Sequence, residues 1–331
     1  MTAAITTPEV SQNWQPRPAL ASALQTIREA IATVHPVTEL GETGMVFDNI
    51  LEERTVIQAT PVNVTAVDGH LISERIDIRT HLPRLDGSFS DTQIAEINKM
   101  GGTGALIRDT DSSDVVLASS VALFEGDDAA LQALYTPLVA WIALLHPYPL
   151  LGEDGRAFLE RFCPLQEPSR WDTEDFAAAV PSLRDAGIFC NAGSSGLTAE
   201  FPWKPGNTSA LLGHDTSLLT FQAGVAHPIM GNGLYFSLAL PTEMSHESSI
   251  RLANDLNALE SSGVDIPPLF GAWSTWEPPG RLRHTGFWPN VLYAPGIILN
   301  IVAWMHVRAT IARGFIGNSQ EINAGINKKE I

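Results

Sequence analysis

Apolar residues recur along this chain at two spacings, and the two alternate in a repeated order. Leu20, Leu24, Ile27 and Ile31 recur every three or four residues, which predicts a helix over Ala19–Val34, closed by His35-Pro36. Short strand-like runs follow at Met45–Ile50, Val56–Ala59 and Pro61–Ala66, then a longer one at Leu71–Thr80. Asp68-Gly69 between the last two is a hairpin signal. Leu71–Thr80 alternates Ile72, Ile76 and Ile78 against polar neighbours, with Glu74 as the one mismatch. Ser90–Lys99 reads as a short helix with Ser90 or Asp91 as N-cap and Gly101-Gly102 as its stop. Ala105–Arg108 and Val115–Phe124 form a second strand pair, and an uncharged stretch, Ala129–Gly152, closes the first half.

The second half repeats this plan. Gly187–Ala192, Leu197–Pro202, Ser217–Gly224 and Gly233–Leu240 read as strands, and Glu243–Ser261 as a helix. Pro268–Thr275 and Leu282–Tyr293 read as strands, before a closing helix entered at Pro295 and running to about Phe315. Strand pairs grouped between helices are the α+β pattern. The expected architecture is α+β with two tandem domains, each a twisted antiparallel sheet with helices packed on one face. The boundaries read as 19–150, a linker with short helices over 151–180, a second domain over 181–316 and a flexible tail over 317–331. The linker's helical pieces fall near Gly155–Phe162 and Thr173–Val180. Residue identity between the halves is weak, so the repeat is one of element order; two unrelated α+β domains remain the alternative.

The stretch Ala129–Gly152 is long enough to cross a bilayer. Acids flank both its ends, however, where Lys or Arg would anchor a span, and Pro147 and Pro149 shorten the helix to about Ala129–His146. A buried core helix is the expectation. The net charge is −17, with 19 acids against 8 bases in residues 1–150 and 18 against 12 in residues 151–331. Without a Lys/Arg cluster, binding to nucleic acid or to an anionic membrane is disfavoured. The two cysteines, Cys163 and Cys190, make no disulfide framework. The first residues lack the basic and apolar regions of a secretory signal, so the expected location is cytoplasmic.

The strands of the second half are apolar on both faces. Leu269 and Trp273 point one way and Phe270, Ala272 and Trp276 the other; Phe287 and Trp288 also face opposite sides. A sheet with helices on one face alone should alternate apolar and polar residues, so something else must cover the second face. The other half, a second copy and a foreign chain are the three candidates. The residues Trp203, Phe270, Trp273, Trp276, Phe287 and Trp288 are therefore read as a partner-binding set, since tryptophan is enriched at interfaces.

Residues Ser217–Phe315 resemble the YbjN-like, type III secretion chaperone-like (TY-Chap) domains. The likeness lies in SLLTFQAGVAHPIMGNGLYFSLALP, RLANDLNALE, LFGAWSTW and FWPNVLYAPGIILNIVAWMHVRA. Within them, the HP-x-x-GNGL turn and the FxPN-x-LY-x-PG entry into the last helix are its most specific parts. ASSVALFE and the following helix make the first half look like a divergent copy. The resemblance implies a sheet with helices against one face, and a role in holding another protein, as a dimer or tandem pair. It implies no reaction and supplies no active-site residues.

Catalytic signals are weak. Asp109–Asp114 lacks the glycine and distal glutamate of a calcium loop. Gly101–Gly104 follows a helix, whereas a phosphate loop follows a strand. Gly193-Ser194-Ser195-Gly196 is not a nucleophile elbow. Cys190 has no local imidazole partner, and no two ligands have the close spacing of a zinc site. Asn232 and Asn290 read as turn residues. The sequence thus predicts a non-catalytic, chaperone-like protein that uses no cofactor or metal and holds a protein partner or a second copy of itself. The alternative is an enzyme or small-ligand receptor with a pocket between the halves lined by Trp203, Trp273 and His284.

Overall fold

The computed structural model describes residues 14–49, 53–65, 71–82, 89–99, 101–109, 114–145, 157, 167–202, 216–227, 230–242, 244–262, 270–276 and 281–327. The first half runs α1 (Pro18–Ala32), β1 (Val37–Leu40), β2 (Gly44–Asp48), β3 (Arg54–Thr65), β4 (Leu71–His81), α2 (Asp91–Asn98), β5 (Ala105–Arg108), β6 (Val115–Phe124) and α3 (Asp128–Leu145). The second runs α4 (Thr173–Asp185), β7 (Phe189–Ala192), β8 (Gly196–Pro202), β9 (Thr216–His227), β10 (Gly231–Pro241), α5 (His246–Ser262), β11 (Ala272–Trp276), β12 (Arg281–Pro289) and α6 (Ile297–Asn327).

Both halves therefore read helix, four strands, helix, two strands, helix. Sheet A has the order β1-β2-β3-β4-β6-β5 and sheet B the order β7-β8-β9-β10-β12-β11, with every strand pair antiparallel. The last two strands swap places identically in each sheet. The protein is α+β, with two tandem sheet-and-helix units, as the element order predicts. Each sheet carries the helices of its own half on one face; the opposite face is called helix-free below, although on sheet A it is met by α5 of the second half through Arg75 and Glu260.

Local chemistry explains most element ends. Ser90 caps α2 with a reciprocal box to Gln93, and Asp172 caps α4 through Asp175 in the same way. Glu74, the polar mismatch of β4, is only 2 % exposed, and Arg17 answers its charge: the Arg17 backbone N–H donates at 3.0 Å and its Nε at 2.5 Å. In β9 the burial alternates from Ser217 to Phe221, so one face is core and the other meets solvent.

Several expectations are corrected. Val56–Ala59 and Pro61–Ala66 belong to one long strand, β3, whose register shifts between Pro61 and Val64. The polar edge strand β1 shows no apolar period and was not anticipated. Thr173–Val180 is not linker: α4 packs on β7, β8 and α6 as the opening helix of the second half. Gly155–Phe162 lies almost wholly outside the described residues. Residues 317–327 continue α6 as helix rather than a flexible tail, because no proline interrupts them. Helix α3 is long and apolar enough to cross a membrane, yet only 39 % of it is buried. It covers sheet A with Leu131, Tyr135, Leu138, Val139 and Ile142, while Gln132, Ala133 and Pro137 face outward, so it is a surface layer and not a central rod.

The halves join through their inner edges. Strand β5 lies beside β11, and α2 beside α5. Ala272 packs among Ala105, Ile107, Val116 and Ala118. The Phe287 N–H donates to the Gly102 carbonyl at 3.2 Å, and Asn254 Nδ2 donates to the Asp91 carbonyl at 3.2 Å. On the helix side a single hydrophobic core spans both halves, with Phe124 of β6 stacked on Trp304 of α6.

A matched pair of asparagines marks the repeat. Asn98 Nδ2 donates to the Leu106 carbonyl at 3.0 Å, and its Oδ1 accepts from the Leu106 N–H at 2.9 Å. Asn257 does the same to Trp273, at 2.9 and 2.7 Å. Each latches its helix to the innermost strand of its own sheet and satisfies that strand's backbone where the ladder ends. Past the latch the halves differ. Helix α2 stops at once, with Gly101 at φ +66, while α5 runs on to Ser262.

Asn98→Ala and Asn257→Ala should each lower stability by roughly 2–4 kcal/mol, since each strands a buried N–H and C=O. Urea unfolding measures this, and a change under about 0.5 kcal/mol in either variant would show that the latch is incidental.

Candidate functional site

The extension of α5 past Asn257 carries Glu260 into the joint, where it is 2 % exposed. Its Oε1 accepts from Trp273 Nε1 at 2.6 Å, and its Oε2 from Arg308 Nε at 2.9 Å. Its carbonyl accepts from a terminal Arg75 nitrogen at 3.3 Å. Arg75 Nε in turn meets Asp77 Oδ2 at 2.9 Å, and Asp77 also accepts from Thr60 at 2.9 Å and Ser120 at 2.6 Å. Seven charged or polar side chains from β3, β4, β6, α5, β11 and α6 thus form one buried chain across the halves. Burial pushes the Glu260 carboxyl up from its ordinary value, against the pull of the Arg308 guanidinium and the Trp273 N–H. The arrangement holds charge in place and offers none of it to solvent.

Two histidines sit beside this chain. His284 is fully buried opposite Trp273 in the β11–β12 ladder, the two rings edge to face at 5.1 Å. Neither of its ring nitrogens has a hydrogen-bond partner among the described residues. Burial first, and the Arg308 charge second, hold its pKa well below the usual range, so the ring is neutral. Gly271, at φ +91, passes over it; a Cβ there would press on the Thr285 carbonyl and come 2.8 Å from His284 Cε1. His227 pins the joint from the helix-free face. Its Nε2–H donates to the Gly101 carbonyl at 2.9 Å, and its Nδ1 accepts from the Met230 N–H at 3.2 Å, which fixes the neutral tautomer. Burial lowers its pKa to about 4 despite the Gly101 carbonyl.

The structure separates the residues read as a partner-binding set. Trp203 lies outside the described residues. Phe270, Trp273, Phe287 and Trp288 are at most 2 % exposed. Phe270 and Trp288 pack with Trp304 in the shared core, and the Trp288 Nε1–H donates to the Leu292 carbonyl at 2.7 Å. Phe287 lies on the helix-free face, but His227 and the Gly101–Gly102 turn of the first half cover it. The cover for the second apolar face is thus the chain's own other half, and these four residues are not free to meet a partner. Trp276 differs: it is 47 % exposed, with the Arg283 guanidinium 4.1 Å from its ring centre.

The helix-free face of sheet B opens away from the joint. One cross-strand row reads Phe189, Glu200, Leu218, Ala239, Arg283 and Ser274. Ser274 is buried under the first half, the middle members are half-buried, and Phe189 is 59 % exposed. On sheet A the comparable face is closed at Val56, Thr60, Arg75, Asp77 and Ala118. This open shelf, with Trp276 at one end, is the candidate site. A reading by composition missed it because its apolar residues are sparse and alternate with Thr198, Thr220 and Gln222.

The remaining motifs have structural uses. Asp109 and Asp114 close the β5–β6 turn through an Asp109 N–H to Asp114 carbonyl bond of 2.8 Å. Gly193 and Gly196 close the β7–β8 turn. Cys190 Sγ faces the Val180 carbonyl of α4 at 3.9 Å. Asn232 and Asn290 do more than shape turns: Asn232 donates to the Glu167 carbonyl, and Asn290 donates to the Pro168 carbonyl at 2.7 Å while accepting from the Arg170 N–H. They tie the entry to α4 onto sheet B. Among the described residues no three of His, Cys, Asp and Glu converge as metal ligands. No protein-family model, curated protein or solved structure matches the chain.

The histidine of the joint sets a pH dependence. His227 titrates near 6.5 in the unfolded chain and at about 4 in the fold, so between those values only the unfolded chain takes up the proton. Its contribution is complete above the unfolded value and is lost as pH falls toward 4, a loss of up to about 3 kcal/mol. His284 acts in the same direction. Urea unfolding at about pH 7.5 and about pH 4.5 should show the fall, and His227→Gln, which keeps a donor for Gly101, should flatten it by about one proton. An unchanged slope in that variant would place the titration elsewhere.

Proposed function

We propose that this is a non-catalytic, chaperone-like protein that holds a partner polypeptide, built as an internal dimer of two α+β units of the secretion-chaperone kind. The observation that carries the reading is the repeated topology together with the way its copies meet. Each unit gives up its inner sheet edge to the other, as subunits of an assembly do. The joint uses the pairing surface that a second copy would need, so the partner is a different polypeptide. It supports a binding role that the surface left over is an open sheet shelf with two exposed aromatic residues, Phe189 and Trp276. It supports it further that Glu260, Arg308, Arg75 and Asp77 are committed to one another. The partner-facing set then centres on Trp276 instead of the buried aromatics, and a cytoplasmic location fits the free thiol of Cys190.

One observation favours the second reading, an enzyme or ligand receptor with a pocket between the halves. His284 lies beside Trp273 with both ring nitrogens unpartnered among the described residues, as a site awaiting a small polar molecule would have it. Binding of such a molecule should raise the melting temperature of the wild type and not of His284→Phe, and that pair of results would favour this reading over the first.

Mild purification of the tagged chain from its native host should recover one stoichiometric polypeptide. Trp276→Ala should reduce that recovery by roughly tenfold or more, as loss of an interface anchor does, with the melting temperature unchanged. Recovery of a monodisperse chain with no partner, in repeated preparations, removes the holding role.

A further inference from the structure

The arginines of this acidic chain fall into two kinds. Arg17, Arg28, Arg75, Arg108, Arg170, Arg251 and Arg308 each reach a carboxylate. Arg313 donates to the Phe201 and Pro202 carbonyls and to Ser217, and Arg184, in the last turn of α4, has no carboxylate partner among the described residues. Arg54, Arg79, Arg281 and Arg283 form no ion pair among the described residues, and all four stand on the helix-free faces of the two sheets. With 37 acids to 20 bases carboxylates are in excess, yet these four arginines reach none among the described residues.

On sheet B an exposed aromatic joins the unpaired pair. Arg281 is the cross-strand partner of Trp276, and Arg283 lies over the indole with its Nε on Ser237 Oγ at 2.5 Å. A guanidinium stacked on an indole keeps its outer N–H edge free for a carboxylate. Leu218 and Ala239, half-buried, continue the strip on the same face. Trp and Arg are both enriched at interface hot spots.

We propose that this strip binds an acidic segment of the partner polypeptide. A carboxylate bridges Arg281 and Arg283, one apolar side chain of the segment lies against Trp276, and another reaches Leu218 three strands away. The proposal rests on the protein-holding function above and names the chemistry of what is held. The net charge of −17 opposes an acidic ligand at long range. At physiological ionic strength that field decays over about 8 Å, whereas an arginine–carboxylate contact acts within about 4 Å.

Fluorescence anisotropy on the full chain tests it, with a labelled peptide alternating Glu and Leu, and the same peptide carrying Gln for Glu, in about 0.15 M salt. The Glu peptide should bind at least about tenfold more tightly than the Gln peptide. Arg281→Gln with Arg283→Gln should cost about tenfold or more, while Arg54→Gln with Arg79→Gln, an equal change of charge on the other sheet, should stay within about twofold. Equal binding of both peptides, equal losses in both double variants, or no peptide binding would each overturn the proposal. If the sheet B double variant does not fold, Trp276→Ala and Arg281→Gln singly carry the same comparison. Sedimentation of the chain alone covers the remaining occupant: self-association abolished by Arg281→Gln and Arg283→Gln would make it a second copy and overturn the acidic-segment assignment. Failure with the peptides while a native partner is still recovered rejects the acidic specificity alone; failure of both rejects the holding role as well.

Discussion

A strand at the end of a sheet carries backbone N–H and C=O groups that nothing pairs, and in this chain the inner end strands are also apolar on both faces. In β5, Ala105 and Ile107 face one side and Leu106 the other; in β11, Ala272 and Trp273 do the same, and all five are buried. Such an edge cannot be left in water. Setting the two side by side buries the apolar faces without joining the sheets into one ladder, and much of the remaining architecture follows. Helices α2 and α5 must then meet over the seam. Asn98 and Asn257 finish the backbone bonds that the ladders cannot. Gly102 can reach β12 only because β12 is longer than the β11 strand beside it. The outer ends of the sheets need no such treatment. There β1 and β7 are four residues each, with Thr38, Glu39 and Asn191 toward solvent.

Identical topology has not produced identical chemistry. The five residues that α5 adds beyond its latch bring a carboxylate into the centre of the molecule, and the first half has nothing at that place. A buried carboxylate costs several kcal/mol unless its oxygens are filled. Here both oxygens are filled, by an indole and a guanidinium from separate elements, and the main-chain oxygen of the same residue takes Arg75 from the other half. A buried ionic network adds little net stability over an apolar seam of equal shape. What it does is favour one relative placement of the halves, since the Arg75 bond to the Glu260 carbonyl crosses between them and slippage would break it.

The fold was largely legible because its strongest signals are periodic. The helices α1, α2 and α5 and the hairpins β5–β6 and β9–β10 all have clean spacing and matching turn residues, and each was placed within a few residues. Misses have local causes. Strand β1 is polar because it is an edge, so it shows no apolar period. The candidate site was harder to read. Apolar residues on both faces of β11 and β12 correctly demanded a cover, but no local pattern distinguishes a cover made by the chain itself from one made by another molecule. That choice is set by contacts between Gly101–Gly102 and residues more than a hundred positions away. Glu260 could not be found at all from spacing, because its partners lie on three elements that periodicity places independently.

The same contacts explain why the accessible aromatic is Trp276 and not its neighbours. Along β11, side chains alternate between the helix side, where α5 and α6 wait, and the helix-free side, where the first half covers only the start of the strand. Ala272 lies under that cover, Ser274 at its margin, and Trp276 beyond it. A tryptophan half in water is unfavourable on its own, and Arg283 offsets part of the cost by stacking on the ring. That stacking spends the arginine's flat face and leaves its donors outward, so the stabilising contact and the binding chemistry use different parts of one side chain. The seam decides where the first half stops, and where it stops decides which residues remain for another molecule to meet.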